Sequence, residues 1–367
     1  MFDLLWAVGA ALIKVAVLAF GAYIFYFRVW DYFCALRFYG QQGQGTVCAF
    51  GWGHAPLFGS MAMIVYSMWK SWKEGDNYFI MKHGIDDCLT RTKNAVAFIS
   101  NGAGIATCDV KVVEAMYTTQ NKYFDKHPLI GDLAFCLTGD SILFAGTTED
   151  WRKSRLAIRP AFYKGKLDKL VEIAKGAVRA TLTRFQAIAA QGPKAEVDIM
   201  EEVGMMTARI LLVCALGVDC AEQPVDFWEG GKRTTMTLAY SLRVTFSNLV
   251  NRITMPHINL FPMLAKYQIT PYERDQGRNA RALRAFCENI INKRREAIRR
   301  SPELGNAVDF LTILLVDEHF KDRHERIVDE CLTFFFAGSQ TSSVATQNLI
   351  FALCKHPEYQ QKILDEL

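Results

Sequence analysis

The hydrophobic positions of the chain begin with an almost unbroken run. Residues 4–27 contain one charged side chain, that of Lys14. About 20 apolar residues in a helix span the hydrocarbon core of a bilayer, so this run predicts an N-terminal transmembrane anchor. Asp3 precedes the run, whereas Arg28 and Arg37 follow it. By the positive-inside rule, the rest of the chain is predicted to lie on the cytosolic face.

The next part of the chain has no apolar run of that length. Residues 57–69 are largely apolar, but they follow Pro56 and are too few to cross a bilayer. They predict a segment that packs on the membrane surface. We interpret residues 28–95 as a membrane-proximal linker with the first helices of the domain.

Two short strands are predicted after this linker. Residues 96–100 and 104–107 are separated by Asn101-Gly102, and Asn-Gly is the strongest short-range signal for a hairpin. The pattern therefore predicts a β-hairpin, and we expect little other sheet in the chain.

The pattern becomes helical after the hairpin. Asp109 is a plausible N-cap for a helix through Met116. Breakers such as Gln191-Gly192-Pro193 and Ser301-Pro302 separate the later helices. Those helices are predicted at residues 150–158, 167–190, 200–216, 225–250, 271–300, 308–317, 325–355 and from 357 onward. The predicted fold class is mainly α with a small β part, in one domain over residues 96–367.

Composition agrees with a globular domain and excludes several classes of protein. Half of the residues are apolar (51%), so disorder is excluded, and the net charge of +4 gives no support to nucleic-acid binding. The ten cysteines include no Cys-x-x-Cys spacing of a zinc site or redox pair, and we interpret them as reduced thiols, most of them in the core. The basic residues of segment 271–300 suggest either a binding patch for anionic lipid or a partner, or a solvated helical face, and the solvated face is favoured.

The helix predicted at residues 325–355 is the most unusual segment. Its 31 residues would extend over roughly 46 Å, with apolar side chains on nearly every face, so it should run through the core. Small and polar residues occupy its centre, at 337–343. Gly338 would let a flat cofactor or a neighbouring helix approach, and the Thr341 hydroxyl can bond the carbonyl oxygen of Ala337.

Two motifs together resemble one known family. The run Phe334-Phe335-Phe336-Ala337-Gly338-Ser339-Gln340-Thr341, followed by His356-Pro357-Glu358, resembles the central helix of the cytochrome P450 family and the end of that helix. The run Trp151-Arg152-Lys153-Ser154-Arg155, followed by Pro160-Ala161-Phe162, is similar to the Trp-x-x-x-Arg helix of that family. A spacing of four places Trp151 and Arg155 on one helical face.

The resemblance implies a haem-dependent monooxygenase. Such an enzyme inserts one atom of O2 into a hydrophobic substrate, with haem b as cofactor and with electrons that NADPH supplies through a reductase. The resemblance places Thr341 and Gln340 in the catalytic site, with Thr341 supporting proton delivery. It assigns Trp151, Arg155, Ala337 and Gly338 to the haem, with the Trp151 N–H and the Arg155 guanidinium on a propionate. It assigns Phe334, Phe335 and Phe336 to the substrate.

The sequence departs from the family pattern in two ways and from the pattern of one branch in a third. Gln340 stands where the family usually has a carboxylate that relays protons. Ala337 stands where fatty-acid hydroxylases of the family often carry a glutamate esterified to the haem, so covalent attachment is not expected. None of the ten cysteines lies in the Phe-x-x-Gly-x-x-x-Cys setting that supplies the haem ligand. We therefore expect a P450 fold that is C-terminally incomplete, with no metal ligand of its own, and a chain that is inactive alone.

Three interpretations remain open. The first is an incomplete monooxygenase, anchored by a single span in the endoplasmic reticulum membrane and facing the cytosol. The second is a non-catalytic membrane-anchored scaffold subunit with the same front part of the fold. The third is a helical carrier of hydrophobic ligands, which requires both motifs to be coincidental. Fatty acids, sterols and xenobiotics are equally compatible substrates.

Overall fold

The computed structural model describes residues 2–30, 94–98 and 103–366, apart from residues 193, 253–254, 256, 259–260 and 307–308, and a few positions between 33 and 75. Nearly all of the predicted segment 57–69, and most of the predicted linker 28–95, lie outside the described residues. The chain forms two compact units. One comprises residues 1–124 with 255–264, and the other comprises residues 125–254 with 265–367.

The first unit begins with a long helix, α1 (Phe2–Ile24), which continues as a π-helix at Phe25–Trp30. Many of its apolar side chains are exposed, as Leu18 is, while the rings of Phe20 and Tyr23 lie 5.7 and 5.5 Å from that of Phe261. None of the helices among the described residues is long and apolar enough to cross a membrane. The helix predicted at residues 4–27 is thus present, but its membrane-spanning role is not confirmed.

The predicted hairpin is confirmed. Strands β1 (Asn94–Phe98) and β2 (Ala103–Thr107) pair antiparallel, and the turn between them lies outside the described residues. Helix α2 (Val110–Tyr117) follows, and the Asp109 carboxylate accepts the N–H of Lys111 at 3.0 Å, as its predicted role as N-cap requires.

The second unit is mainly helical, as predicted. Every predicted helix in it except that of residues 225–250 is present within a few residues of its predicted ends, and one unpredicted helix precedes them. The helices are α3 (Pro128–Thr138), α4 (Glu149–Ile158), α5 (Lys164–Ala189), α6 (Ile199–Leu216), α7 (Leu238–Asn251), α8 (Pro271–Arg300), α9 (Phe310–Val316), α10 (His324–Lys355) and α11 (Pro357–Glu366).

The prediction of one helix over residues 225–250 was wrong. Strands β3 (Pro224–Glu229) and β4 (Lys232–Thr237) form a second antiparallel hairpin, and α7 starts only at Leu238. Gly230 and Gly231 form the turn with φ of 58° and 78°, a left-handed backbone that glycine adopts without strain. The sequence signals of this hairpin were the Gly-Gly pair and the alternate apolar residues Val225 and Phe227, which are both buried.

Helix α10 runs through the core of the second unit, as predicted. It packs against α3, α6, α7, α8 and α9. Its first half is buried from Ile327 to Thr333, and the core continues into α6, α8 and α9 through residues such as Leu212, Leu283 and Leu314.

Charged side chains also lie inside this core. Arg252 (3% exposed) and Glu273 (0%) form an ion pair at 3.2 Å. Arg252 further donates to three backbone carbonyl oxygens, and Glu273 completes a capping box with Thr270 at the start of α8. The pair therefore joins the end of α7 to the start of α8.

Most of the arginines of α8 that suggested a basic face have specific partners. Arg278 pairs with Asp275, Arg294 with Asp309, and Arg284 with both Glu325 and Asp329. The favoured interpretation, a freely solvated face, therefore describes only part of this helix.

Gly139 ends α3 beside one of these pairs. Its φ is 47°, and a Cβ at this position would overlap the carboxylate of Asp329. That carboxylate accepts from Arg284 at 2.6 Å and from the N–H of Asp140 at 3.3 Å. Gly139 therefore allows the loop after α3 to lie directly on α10.

We predict that Gly139→Ala lowers the free energy of unfolding by roughly 2 to 4 kcal/mol, because it combines backbone strain with displacement of a buried ion pair. Urea unfolding followed by circular dichroism measures the change. Gly176→Ala is the matched control, since Gly176 lies within α5 with nothing within 4 Å of its Cβ position. The control should change stability by less than about 1 kcal/mol. Equal effects of the two substitutions would contradict this account of Gly139.

Candidate functional site

A cavity of about 470 Å³ lies between α4 and α10, and we call it the Arg155 cavity. Its wall is mostly apolar and aromatic, with Arg155, Glu330 and Thr333 as its polar side chains apart from the indole of Trp151. The lining residues are Ile142, Leu143, Trp151, Arg155, Ile158, Phe162, Phe310, Glu330, Thr333, Phe334, Ala337 and Gly338. An apolar pocket with a few convergent polar groups is the usual form of a small-molecule site.

Helix α4 brings Trp151 and Arg155 to this cavity. Thr148 caps the helix by accepting a hydrogen bond from the N–H of Trp151 at 3.2 Å. Two acidic residues follow in the first turn, where their negative charges stabilise the helix through its dipole. The Arg155 guanidinium carbon lies 5.4 Å from the centre of the Trp151 ring, a cation–π distance. The predicted shared face of these two residues is therefore confirmed.

The indole N–H of Trp151 already has an acceptor within the protein. It donates to the carbonyl oxygen of Ile142 at 2.7 Å. Lys126 donates to the same oxygen at 2.5 Å, and its ammonium lies 4.7 Å from the centre of the Trp151 ring. The expectation that the Trp151 N–H would bind a ligand carboxylate therefore finds no support in this geometry, whereas Arg155 has no carboxylate partner among the described residues.

Glu330 is the site residue that sequence reasoning missed. Its carboxylate is 2% exposed, and it accepts the N–H of Ile142 at 3.0 Å through Oε1 and at 3.2 Å through Oε2. Arg326 lies 3.4 Å away without hydrogen-bond geometry. Burial raises the pKa of Glu330 to about 7, against the lowering effect of Arg326. The available signal was the acidic pair Asp329-Glu330 between the apolar residues 327–328 and 331–332.

The centre of α10 contributes small residues to the same cavity. Ala337 and Gly338 line the wall, and the Thr341 hydroxyl donates to the Ala337 carbonyl oxygen at 2.6 Å, as predicted. Gln340 is half-buried one residue before Thr341. Neither Thr341 nor Gln340 is among the residues that line the cavity.

Gly338 has a packing role in this structure. A Cβ at this position would lie 2.7 Å from Cδ1 of Leu211, on α6. Of the two predicted reasons for this glycine, the close approach of a neighbouring helix is therefore the one that the contacts support directly.

The three phenylalanines of α10 have different surroundings. Phe334 lines the Arg155 cavity and stacks on Phe310, with ring centres 4.5 Å apart. Phe335 is 3% exposed within the core. Phe336 packs on Phe246, with ring centres 4.7 Å apart. The structure thus brings one of the three predicted substrate residues to the cavity.

Thr333 carries an unpartnered hydroxyl in the cavity wall. Its side chain is 5% exposed, and Oγ1 has no hydrogen-bond partner in the protein. A buried hydroxyl without a partner costs about 1 to 3 kcal/mol. A bound molecule or water with a polar atom at this wall would remove that cost.

A second cavity of about 640 Å³ adjoins the first one. Trp151 and Arg155 line both, and Arg152 and Arg159 extend the lining along α4. The three arginines surround this space with positive charge, which suits a ligand with an anionic substituent.

None of the described cysteines is among the residues lining either cavity. Cys220, Cys287 and Cys331 are buried in the core, which agrees with their interpretation as core residues, and burial raises the pKa of Cys220 to about 12. A thiol with so high a pKa is not a thiolate at neutral pH. The described residues therefore supply the cavity with apolar walls and the guanidinium of Arg155.

Comparison with known proteins gives a consistent result. The family model described as "Cytochrome P450" matches residues 102–367. A rat (Rattus norvegicus) protein named cytochrome P450 4F3 is 28% identical over 62% of this chain and 43% of its own length. Human (Homo sapiens) cytochrome P450 4F8 is 25% identical over 72% of this chain and 50% of its own length.

One plant relative and one solved structure extend the comparison. Cytochrome P450 CYP72A616 of Paris polyphylla is 23% identical over 78% of this chain and 54% of its own length. A crystal structure of a cytochrome P450, CYP102L1, superposes with a TM-score of 0.55 at 20% identity, over 74% of this chain and 59% of that one. The solved structure supports the fold. The chain spans about half the length of the curated relatives that it matches.

The raised pKa of Glu330 predicts a specific pH dependence of stability. Folding favours the protonated form, so the contribution of Glu330 to stability is fully present below about pH 4.5 and is lost as pH rises through about 7. Glu330→Gln removes this titration. Between pH 5 and 8, the stability of the wild type relative to Glu330→Gln should fall by roughly 2 to 3 kcal/mol. Denaturant unfolding at several pH values measures it, and parallel curves for both proteins would contradict the raised pKa.

The packing of Gly338 on Leu211 predicts coupling between these positions. Gly338→Ala should cost about 1 to 3 kcal/mol of stability because the new methyl group overlaps Leu211. In the background of Leu211→Ala the same change should cost at least about 1 kcal/mol less. Ser342→Ala is the control, because its side chain is exposed and its effect should be additive with Leu211→Ala. If the stability changes of Gly338→Ala and Leu211→Ala were additive, the predicted overlap between these two positions would be contradicted.

Proposed function

The chain belongs to the cytochrome P450 family, and from this membership we propose that it forms the oxygen-activating side of a haem-dependent monooxygenase. The observation that supports the proposal best is the Arg155 cavity. The guanidinium of Arg155, which has no carboxylate partner among the described residues, lines this apolar space together with the small residues Ala337 and Gly338.

The residues of this cavity fit a flat, apolar cofactor with anionic substituents. Arg155 would hold a propionate, the ring of Trp151 would support Arg155, and Ala337 with Gly338 would face the plane of haem b. When bound, haem supplies the redox chemistry by which one oxygen atom of O2 is inserted into a substrate.

The side chains themselves have three tasks in this proposal. Arg155 binds the carboxylate, and Trp151 holds the guanidinium in place by its ring face rather than by its N–H. Apolar side chains such as Phe162, Phe310 and Phe334 exclude water and contact a hydrophobic substrate. Thr341 holds a hydroxyl proton at Oγ1, bonded to the Ala337 carbonyl oxygen until another acceptor approaches. Gln340 cannot exchange protons as a carboxylate does, so proton supply beside Thr341 would depend on water.

The remaining partners of the reaction are also part of the proposal. We propose a hydrophobic small molecule as substrate and a reductase as electron donor, with NADPH acting only through that reductase. None of the described cysteines lines the Arg155 cavity, so this proposal assigns no iron ligand to the described residues.

We also propose that α1 associates with a membrane, in the manner of an enzyme of the endoplasmic reticulum with its domain on the cytosolic face. Large apolar side chains of α1 are exposed between Leu12 and Phe20, among them Leu12 itself (65%) and Leu18 (73%). Exposed apolar surface of this extent is favourable in contact with lipid.

Arg155→Gln should weaken the binding of haem to the full chain by about tenfold or more, because a charge-assisted hydrogen bond to a carboxylate is lost. Titration of the detergent-solubilised chain with haem, followed by absorbance, gives the dissociation constant. Lys153→Gln removes the same charge from α4 at a residue that is not among those lining either cavity, and it should change the constant by less than about twofold.

Two results would contradict this function. Equal effects of Arg155→Gln and Lys153→Gln would mean that the Arg155 cavity is not the haem site. A wild-type chain that stays folded, binds no haem and purifies with a fixed protein partner would favour the alternative of a non-catalytic scaffold subunit.

Leu12→Asp combined with Leu18→Asp should lower the recovery of the chain with phosphatidylcholine vesicles by at least about tenfold, because each carboxylate costs on the order of 2.5 to 3.5 kcal/mol in lipid. Flotation on a density gradient measures the recovery. Val110→Asp, at an exposed apolar residue of α2, is the control and should not change it. Unchanged recovery of the α1 variant would refute membrane association through this helix.

A further inference from the structure

We propose that Glu330 is a positioning residue that holds the Trp151–Arg155 wall of the Arg155 cavity in place, acting through the backbone N–H and carbonyl groups of Ile142. The inference rests on the proposed function, because it gives that wall the task of binding a carboxylate. It assigns a role to a buried glutamate of α10 that neither the sequence motifs nor the comparisons single out.

The first step is the hydrogen bonding of Ile142. Its N–H donates to both carboxylate oxygens of Glu330, at 3.0 and 3.2 Å. Its carbonyl oxygen accepts the indole N–H of Trp151 at 2.7 Å and the ammonium of Lys126 at 2.5 Å. The backbone of Ile142 therefore links α10 to α4, with its N–H on Glu330 and its carbonyl oxygen on Trp151.

The second step leads from Trp151 to Arg155. The bond to Ile142 is the hydrogen bond that fixes the indole at its Nε1 end, and the guanidinium of Arg155 lies over the ring at 5.4 Å from its centre. A rotation of the indole would therefore move the surface on which Arg155 rests. Because Arg155 has no carboxylate partner among the described residues, this ring is the neighbour that orients it.

An ion pair with Arg326 does not by itself account for the hydrogen bonds of Glu330. An ordinary buried ion pair with Arg326 would place its hydrogen bonds on the guanidinium, yet Nε of Arg326 lies 3.4 Å away without hydrogen-bond geometry. The Glu330 carboxylate instead accepts hydrogen bonds from the N–H of Ile142. The charged groups around it are Arg326 and Asp329 on its own helix and Lys126 before α3.

The test compares Glu330→Ala, which removes the acceptor, with Glu330→Gln, which keeps an amide oxygen for the N–H of Ile142. Glu325→Gln is the control, because it removes the same charge from the exposed start of α10. The probes are protoporphyrin IX, which carries two carboxylates, and its dimethyl ester, which carries none. Fluorescence titration of the full chain gives both dissociation constants and their ratio.

The wild type should bind the acid more tightly than the ester. Glu330→Ala should weaken binding of the acid by about tenfold and leave the ester within about twofold, because the carboxylate contact is misplaced while the apolar walls remain. Glu330→Gln and Glu325→Gln should keep the wild-type ratio. A loss of folding alone would weaken both probes together, so the ratio separates positioning from a structural effect.

Hydrogen exchange measures the contact itself, without any ligand. The amide of Ile142 should exchange at least about tenfold faster in Glu330→Ala than in the wild type, and Glu330→Gln should restore most of its protection. The proposal requires both the faster exchange and the altered ratio, and the absence of either one overturns it. The ratio of the two dissociation constants is measured first for the wild type. A wild-type ratio near one would contradict the carboxylate binding on which the proposed function rests.

Discussion

The backbone of Ile142 joins the two helices on which the candidate site is built. Its carbonyl oxygen accepts from Trp151 and Lys126, and its N–H donates to the carboxylate of Glu330. Inside a protein, such a network is stabilising only when every member has its partner. The cavity therefore depends on a carboxylate that is buried at an energetic cost, and this cost appears as a pKa of about 7.

The small residues at the centre of α10 meet two demands at once. Gly338 admits Leu211 of the neighbouring helix and also lines the cavity, so a single missing side chain serves both packing and the site. The three preceding phenylalanines divide in a similar way, with Phe334 at the cavity and Phe335 in the core. A motif that identifies a family can thus be maintained by packing as much as by chemistry.

The features that the sequence could predict are those set by local periodicity. The helices, the first hairpin, the Thr341 bond to Ala337 and the shared face of Trp151 and Arg155 need only residues close in sequence. The second hairpin was missed because the apolar residues before Gly230 were assigned to a helical pattern. The link from Glu330 to Ile142 joins residues 188 positions apart, and no local pattern encodes such a pair. The N–H of Trp151 was assigned to a ligand because its backbone acceptor is visible only in the folded chain.

The central claim is that the space between α4 and α10 is a haem site. Anomalous diffraction at the iron edge, from crystals of the full chain loaded with haem, tests it most directly because it locates the iron without reference to any side chain. The account predicts one iron position within the Arg155 cavity, on the side of Ala337 and Gly338. Iron bound elsewhere on the chain, with this cavity empty, would contradict it.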